Sequence, residues 1–559
     1  MSRTRAFFAA LARHDLLLLF LILSGYFLFL LPDIRLPSIN NEEAAAGRIT
    51  LDILRSEPGR IPWACETHMS TCLSVPVSGG RLLPVMWAEY ESALPVYILI
   101  PFSLFFGVNL LSLRLMSIAL AFVSLIYLYL LLRQWLGRRI TLAALALIIS
   151  NPVFVIYHKM SISVDTVYLA CFFWAGLYYF YAYYLSAKRW HLAAAAFCVG
   201  LGLEKVTFLW YIAGVLLAAV VLRKRLARKN PIKPKDLLFA LPAFCAGNFF
   251  MLYYNLRNGF KTVSFMYSNL VKPTQCGANN LDFAVSLKLR FHQLVDSING
   301  RRIGQGIGGD DSFSPNALIF AAAILLLVFS ARMIDPQRRK KLVFLAAIFS
   351  AVYVCSHFTL TFFKPEHLYT LYFVPPILTA AALFFLKEAV PYKRTAVCVA
   401  GILMAAMLAA NIAGAAYDIR DLRKTGGRGR FSPAIPALAS WLEENGINDP
   451  VIVYNMDPTI PFLTKGKVQV IERTYHSMPG EFGRLLKGLS SRGTDIYFVT
   501  AEDIDDYLNK EEFNEYLASA SSHGHEISVV KVFNDRSGRP ELVLHKIARQ
   551  RGRAQRPRR

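Results

Sequence analysis

Charge is what this sequence has least of. Asp, Glu, Lys and Arg supply only 18% of its 559 residues, against 55% hydrophobic residues. That is too little charge to clothe a soluble chain of this length, so an ordinary soluble protein is excluded. Acids are the scarcer sign, 38 against 61 Lys and Arg. The net charge of +23 does not indicate nucleic acid, because the basic residues sit largely in short loops between apolar runs. Cysteine is sparse, eight in all with no Cys-x-x-Cys, which removes the usual zinc and dithiol spacings. The glycine-rich run from Arg301 and Arg302 to Asp310 and Asp311 lacks the Gly-Lys-Ser/Thr ending of a phosphate-binding P-loop.

What is present is a series of apolar segments of membrane-spanning length between Leu16 and Tyr417. A span needs roughly 17–25 such residues. Arg3, Arg5 and Arg13 precede the first, and Pro32, Asp33 and Ile34 follow it in place of a small-residue cleavage site, as in an uncleaved signal anchor. After an outer loop over 33–92, the stretch Pro95–Val108 is short and interrupted by Pro101, and reads as a helix lying near the interface. Further spans are expected near 112–132, 140–157, 164–185, 191–203, 207–222, 237–254, 316–333, 342–362, 368–386 and 396–416, about eleven in all. With this parity the basic clusters at Arg133/Arg138/Arg139, Lys188/Arg189, Arg223–Lys229, Arg338–Lys341 and Lys387/Lys393/Arg394 share the cytoplasmic face with the N-terminus.

The fold class expected is a polytopic α-helical membrane protein with a C-terminal soluble α/β domain. The membrane domain covers 1–416, with outer loops at 33–92 and 255–315. The region 417–548 alternates short strand and helix patterns, carries no Gly-x-Gly-x-x-Gly nucleotide fingerprint, and falls outside the cytoplasm by parity. A basic tail over 549–559 is expected to be disordered. Cys171, Cys198, Cys245, Cys355 and Cys398 lie in apolar spans as small hydrophobes. Cys65 and Cys72 share the first outer loop, either as a local disulfide or as two free thiols.

The same parity puts Glu42, Glu43, Asp165, Glu204, Lys205, Glu366 and His367 on the face opposite the basic clusters. Charge beside apolar spans is costly, so this gathering points to a site. Glu42 and Glu43 open an Ala-rich helical stretch, where carboxylates either complement the helix dipole or serve as a general base or metal ligand. Asp165 is either a helix cap or a second site carboxylate. Glu204 and Lys205 either pair at the interface or meet substrate. The Arg301–Arg302 run is either a flexible loop or a lid whose arginines contact phosphate. No motif demands a cofactor; a divalent cation held by Glu42, Glu43 and Asp165 stays open.

These pieces resemble, in order, the lipid-linked-sugar glycosyltransferases of the GT-C superfamily. The likeness is to family 39, the protein O-mannosyltransferases and bacterial aminoarabinose transferases. It rests on the acidic pair followed by Asp52-Ile53-Leu54; on Phe106-Gly107-Val108 and Ser112-Leu113-Arg114-Leu115-Met116-Ser117; on Ser163-Val164-Asp165; on Gly200-Leu201-Gly202-Leu203-Glu204-Lys205; and on His367-Leu368-Tyr369 with Val374-Pro375-Pro376. Two departures stand out. Glu42 replaces the usual Asp, and Glu89-Tyr90-Glu91-Ser92 stands where a Lys-Pro-Pro element is expected. The resemblance implies inverting transfer from a polyprenyl-phosphate sugar donor to a lipid, protein or glycan acceptor at the outer face of the cell inner membrane. Glu42 and Asp165 would be catalytic, and Glu43, Lys205, Arg301, Arg302 and His367 would bind substrate. Membrane lipids are the other expected partners, and nucleic acid is not one. The alternative reading is a transporter or flippase of lipid-linked glycans, for which mid-span ionisable residues and repeat symmetry are wanting.

Overall fold

The computed structural model describes residues 17–55, 74–78, 81–88, 90–160, 164–222, 232–271, 283–300, 314–330, 332–357, 365–389, 392–447, 451–453, 459–468, 470–472, 496–501, 518, 521–522 and 525–549. The chain is mostly helical. Helix α1 (Leu17–Leu30) turns into α2 (Asn41–Arg55). Two hairpins follow inside the loop expected over 33–92: β1 (Ser74–Val77) with β2 (Arg81–Pro84), and β3 (Met86–Ala88) with β4 (Glu91–Ser92). The stretch expected to lie near the interface forms the short helix α3 (Leu94–Phe106), and Asn109 then caps α4 (Leu110–Leu136) with a reciprocal Ser112 bond.

Next come α5 (Arg138–Ser150), α6 (Pro152–Lys159), α7 (Val164–Ser186), α8 (Arg189–Leu203), α9 (Phe208–Val221), α10 (Pro234–Gly247) and α11 (Phe249–Arg257). The second long loop, expected over 255–315, is itself helical in part, with α12 (Lys261–Val271) and α13 (Phe283–Asn299). Then follow α14 (Asn316–Ser330), α15 (Pro336–Ser356), a 3-10 turn Pro365–Phe373, α16 (Val374–Ala389) and α17 (Lys393–Thr425). Three stretches, Leu110–Leu136, Leu368–Leu386 and Lys393–Thr425, are long and apolar enough to cross a membrane, or up to five if each of two bent pairs counts as one.

Those bends depart from the straight spans expected. Helices α5 and α6 meet at 66° at Asn151-Pro152. A proline drives the preceding residue out of the helical region, and Asn151, extended at ψ 129, caps the Val153 amide instead. Helices α10 and α11 meet at 78° at Asn248. Helix α10 also crosses α8 at close quarters. A Cβ on Gly200 would lie 2.4 Å from the Phe244 carbonyl oxygen, and one on Gly247 would lie 2.3 Å from that of Phe197, so both positions demand glycine.

Side-chain contacts divide the bundle into two ends. At one, Lys341 Nζ donates to the Gln134 carbonyl at 3.0 Å. There too Asp236 receives Arg189 at 3.1 Å and the Tyr183 hydroxyl at 2.7 Å. At the other lie the α1–α2 turn, the hairpins, the start of α9 and the C-terminal region. Helix α17 runs to Thr425, eight residues past Tyr417, and stops at Gly426 in the left-handed conformation.

Beyond it, α18 (Ala434–Glu444) and α19 (Thr459–Leu463) accompany a five-stranded sheet of order β6-β5-β7-β9-β8. Its strands are β5 (Val451–Val453), β6 (Val470–Glu472), β7 (Ile496–Ala501), β8 (His525–Asn534) and β9 (Pro540–Arg549). Strands β6, β5 and β7 are parallel, while β9 is antiparallel to both β7 and β8. Ile435, Leu438 and Leu442 of α18 pack with Tyr497, Val499, Leu542 and Leu544 of the sheet. Of the alternating strand and helix patterns expected over 417–548, the helical ones at 480–489 and 502–517 fall outside the described residues, as does the tail from 550.

The C-terminal region rests directly on α2. A Cβ on Gly47 would meet Phe462 Cε2 at 2.5 Å, and Arg48 and Arg55 donate to the carbonyls of Pro461 and Lys465 at 3.4 and 3.5 Å. Gly47→Leu is therefore expected to destabilise by about 1–3 kcal/mol through overpacking, lowering the melting temperature of detergent-solubilised protein. Adding Phe462→Ala should restore most of that loss. An unchanged melting temperature for the single variant would mean that α19 does not rest on α2.

Candidate functional site

The acidic pair sits at the first turn of α2. Glu43 is fully buried, and its carboxylate receives Arg114 Nε at 3.2 Å and Nη2 at 3.4 Å. Arg114, also fully buried, donates its remaining N–H groups to the carbonyls of Ile34 (2.7 Å) and Ser38 (3.3 Å). Asn40 caps the helix: its Oδ1 accepts the Glu43 amide at 2.6 Å, and Glu43 Oε2 accepts the Asn40 amide at 3.2 Å. With Glu43 so engaged, neighbouring Glu42 is the half-buried carboxylate of the pair. Helix α2 packs against α3, α4 and α7. It therefore lies beside the helix that begins at Val164, next to Asp165, whose own side chain lies outside the described residues.

A second cluster forms where α8 gives way to α9. Lys205 Nζ donates to Glu91 Oε2 at 3.3 Å and stands 5.9 Å over the Tyr90 ring. The backbone joins them too: Ser92 N donates to the Glu204 carbonyl at 2.9 Å and Val206 N to that of Tyr90 at 3.0 Å. Glu204 is fully buried, and its carboxylate receives the amides of Phe250 (3.1 Å) and Met251 (3.2 Å), free N–H groups at the start of α11. It lies in the turn between α8 and α9, where burial pushes its carboxyl up to about 7 against the pull of the Ser92 hydroxyl and those amides. Tyr168, one turn on from Asp165, is within electrostatic reach of Glu91 and Glu204. The start of α7 thus bridges the first cluster and the second.

A third cluster comes from the second long loop. Arg290 of α13 is fully buried, its guanidinium 5.7 Å over the Trp210 ring and 3.1 Å from Gln293 Oε1. Tyr211, Tyr353 and His357 feel its charge. The Arg301–Arg302 pair lies outside the described residues, and so does the side chain of His367. A fourth group ties the helices together. The His158 ring bonds the hydroxyls of Tyr26 and Tyr369, Lys159 donates to the Pro32 carbonyl, and Asp33 pairs with Arg423 at 2.6 Å.

Two of these cations were not singled out as functional from sequence. Arg114 stood only as part of the Ser-Leu-Arg-Leu motif, and the signal was an arginine in the first turns of a 27-residue apolar helix. Arg290 stood in a segment read as loop, where its signal was the amphipathic run Phe283–Asn299. Among the described residues no group of three or more His, Cys, Asp or Glu could hold a metal ion. The Glu42–Glu43–Asp165 reading depends on a side chain outside that set. Cys65 and Cys72 also fall outside it.

Residues 92–246 match the family model of dolichyl-phosphate-mannose-protein mannosyltransferases. No curated protein matches the sequence. Among solved structures, ArnT from Cupriavidus metallidurans bound to undecaprenyl phosphate aligns with TM-score 0.59 and 13% identity, covering 95% of this chain and 97% of that one. Its apo form aligns with TM-score 0.58 and 13% identity, covering 95% and 98%. The chain has an ArnT-like fold over 95% of its length, and its resemblance to the GT-C glycosyltransferases of aminoarabinose-transferase and O-mannosyltransferase type stands.

Two outcomes follow from the geometry. Removing one partner of a buried ion pair costs about 3–5 kcal/mol, so Arg114→Met should sharply lower the melting temperature, and Arg114→Met with Glu43→Leu should recover much of it. For Glu204, a carboxyl raised in the folded chain keeps a proton that the unfolded chain has released. Its contribution therefore falls as pH rises from the ordinary carboxylate range through about 7. Melting curves across that window should lose stability with pH in wild type, and Glu204→Gln should flatten the slope; equal slopes would count against the buried carboxyl.

Proposed function

We propose that the chain is a membrane glycosyltransferase that moves one sugar from a polyprenyl-phosphate donor to a lipid, protein or glycan acceptor. It works at the extracytoplasmic face of the cell inner membrane, with about eleven spans and the C-terminal α/β region outside. The observation that carries this reading is the convergence of the Glu43–Arg114, Lys205–Glu91 and Arg290 clusters at one end of the bundle. Support comes from a whole-length fold shared with a chain crystallised with undecaprenyl phosphate. A donor whose long chain stays in the bilayer calls for a catalyst with its charged groups at the membrane surface.

Glu42 takes the proton of the acceptor hydroxyl as its oxygen attacks the anomeric carbon. The bond from that carbon to the phosphate oxygen breaks, its electrons leave with the polyprenyl phosphate, and the anomeric centre inverts. Lys205 and Arg290 meet the negative charge on the departing phosphate, joined by Arg301, Arg302 and His367. Asp165 orients the acceptor. Glu43 acts through its pair with Arg114, which holds the start of α2, and so the Glu42 carboxylate, in place.

Glu42→Gln should lower transfer from a purified lipid-linked sugar by about 10²–10⁴-fold, read as release of free polyprenyl phosphate, with the melting temperature unchanged. Near wild-type release would remove Glu42 from the mechanism. Chelating divalent cations separates the two readings of the carboxylates. Loss of transfer restored by Mg²⁺ or Mn²⁺ assigns a cation to Glu42 and Asp165, and undiminished transfer leaves Glu42 as the base and Asp165 as the group that orients the acceptor.

A further inference from the structure

A cavity of about 420 Å³ opens in the seam between the α1–α2 turn, the start of α4 and the C-terminal region. It is separate from the Lys205 and Arg290 clusters. Most of its wall is apolar, with Leu36, Ile39, Val108, Leu110, Phe462 and Leu463 facing it. Its charge is of one sign: Arg35, Lys465 and Arg536 line it, and no carboxylate is among its lining residues. All three cations are exposed.

The acids nearby in the chain are engaged elsewhere. Asp33 holds Arg423 at 2.6 Å, Asp52 holds Arg48 at 3.4 Å, and buried Asp535 turns Oδ1 to the Ser537 and Arg539 amides of its own turn at 2.8 and 2.9 Å, its Oδ2 making no hydrogen bond. Exposed cations from three segments around an apolar slot make a basic rim that attracts an anion.

The chain leading into this cavity carries an apolar ridge. Leu104, Phe105 and Phe106, at the end of α3, are 69%, 84% and 49% exposed, and Val108 to Leu110 follow them into the cavity wall. Such a ridge at a short apolar helix suits acyl chains, and a basic rim beside it suits an anionic headgroup.

We propose that this seam holds a resident anionic phospholipid. Its phosphate would sit among Arg35, Lys465 and Arg536, with its acyl chains along the α3 ridge, and it would bridge the membrane-embedded helices to the C-terminal region. The inference rests on the membrane placement proposed above and not on the transfer chemistry. The phospholipid is neither donor nor acceptor.

Full-length protein stripped of lipid in a neutral detergent provides the test. Phosphatidylglycerol, phosphatidylcholine or inorganic phosphate is added, and melting temperature and lipid retention by native mass spectrometry are read. Phosphatidylglycerol should raise the melting temperature and stay bound, and the other two should do neither. Arg35→Gln, Arg536→Gln and their combination with Lys465→Gln should progressively lose the phosphatidylglycerol gain while melting with wild type in phosphatidylcholine. Equal gains from both phospholipids, a gain from inorganic phosphate as large as that from phosphatidylglycerol, or an undiminished gain in the triple variant would each overturn the proposal. Donor-dependent release of polyprenyl phosphate, measured on the same samples, separates failure of this site from failure of the transfer reading.

Discussion

The buried pair between Arg114 and Glu43 is the constraint on which the end of the bundle that carries the acidic helix depends. Two full charges have left water there, and neither is tolerable alone. The arginine also gathers two carbonyls of the α1–α2 turn, so a single guanidinium joins the first helix, the acidic helix and the longest early apolar helix. Once that knot is tied, the direction of α2 is set, and with it the position of Glu42. The second knot, Lys205 with Glu91, works the same way on a strand and a helix turn. It adds a backbone bridge between those two residues, so that hairpin and helix end are held by main chain as well as by charge.

Much of this architecture was legible in the linear sequence, for a plain reason. Apolar runs such as Leu110–Leu136 and Lys393–Thr425 announce themselves by composition, and the stretch Pro95–Val108 is set apart from them by its shortness and its internal proline. The outcomes at Asn151 and Asn248 were not read, although Asn151-Pro152 carries the information. In an apolar stretch a break looks like one polar residue inside a span, and only the cap it makes distinguishes the two. The hairpins over Ser74–Ser92 were missed because their strands are two to four residues long and hold proline, which leaves no alternation to detect.

The charged clusters show a different limit. The acidic pair and Glu204-Lys205 could be singled out because charge beside an apolar run is conspicuous. Their partners could not be, since Arg114 is 71 residues from Glu43 and Glu91 is 114 residues from Lys205. Pairings over such separations are products of packing, not of local pattern. Arg290 was overlooked for a related reason. A glycine-rich neighbour with two arginines drew attention to the end of the second outer loop, while the helix before it carried its cation inward beneath aromatic rings.

The meeting of Gly47 with Phe462 has a mechanical consequence. With no side chain between them, helix and ring touch at van der Waals distance, and there is no slack through which one could slide without the other. Any tilt of the acidic helix must therefore be transmitted to the C-terminal sheet region. That region rides on the helix as ballast, and its mass and its own contacts become part of the stiffness felt by the carboxylate at the helix start.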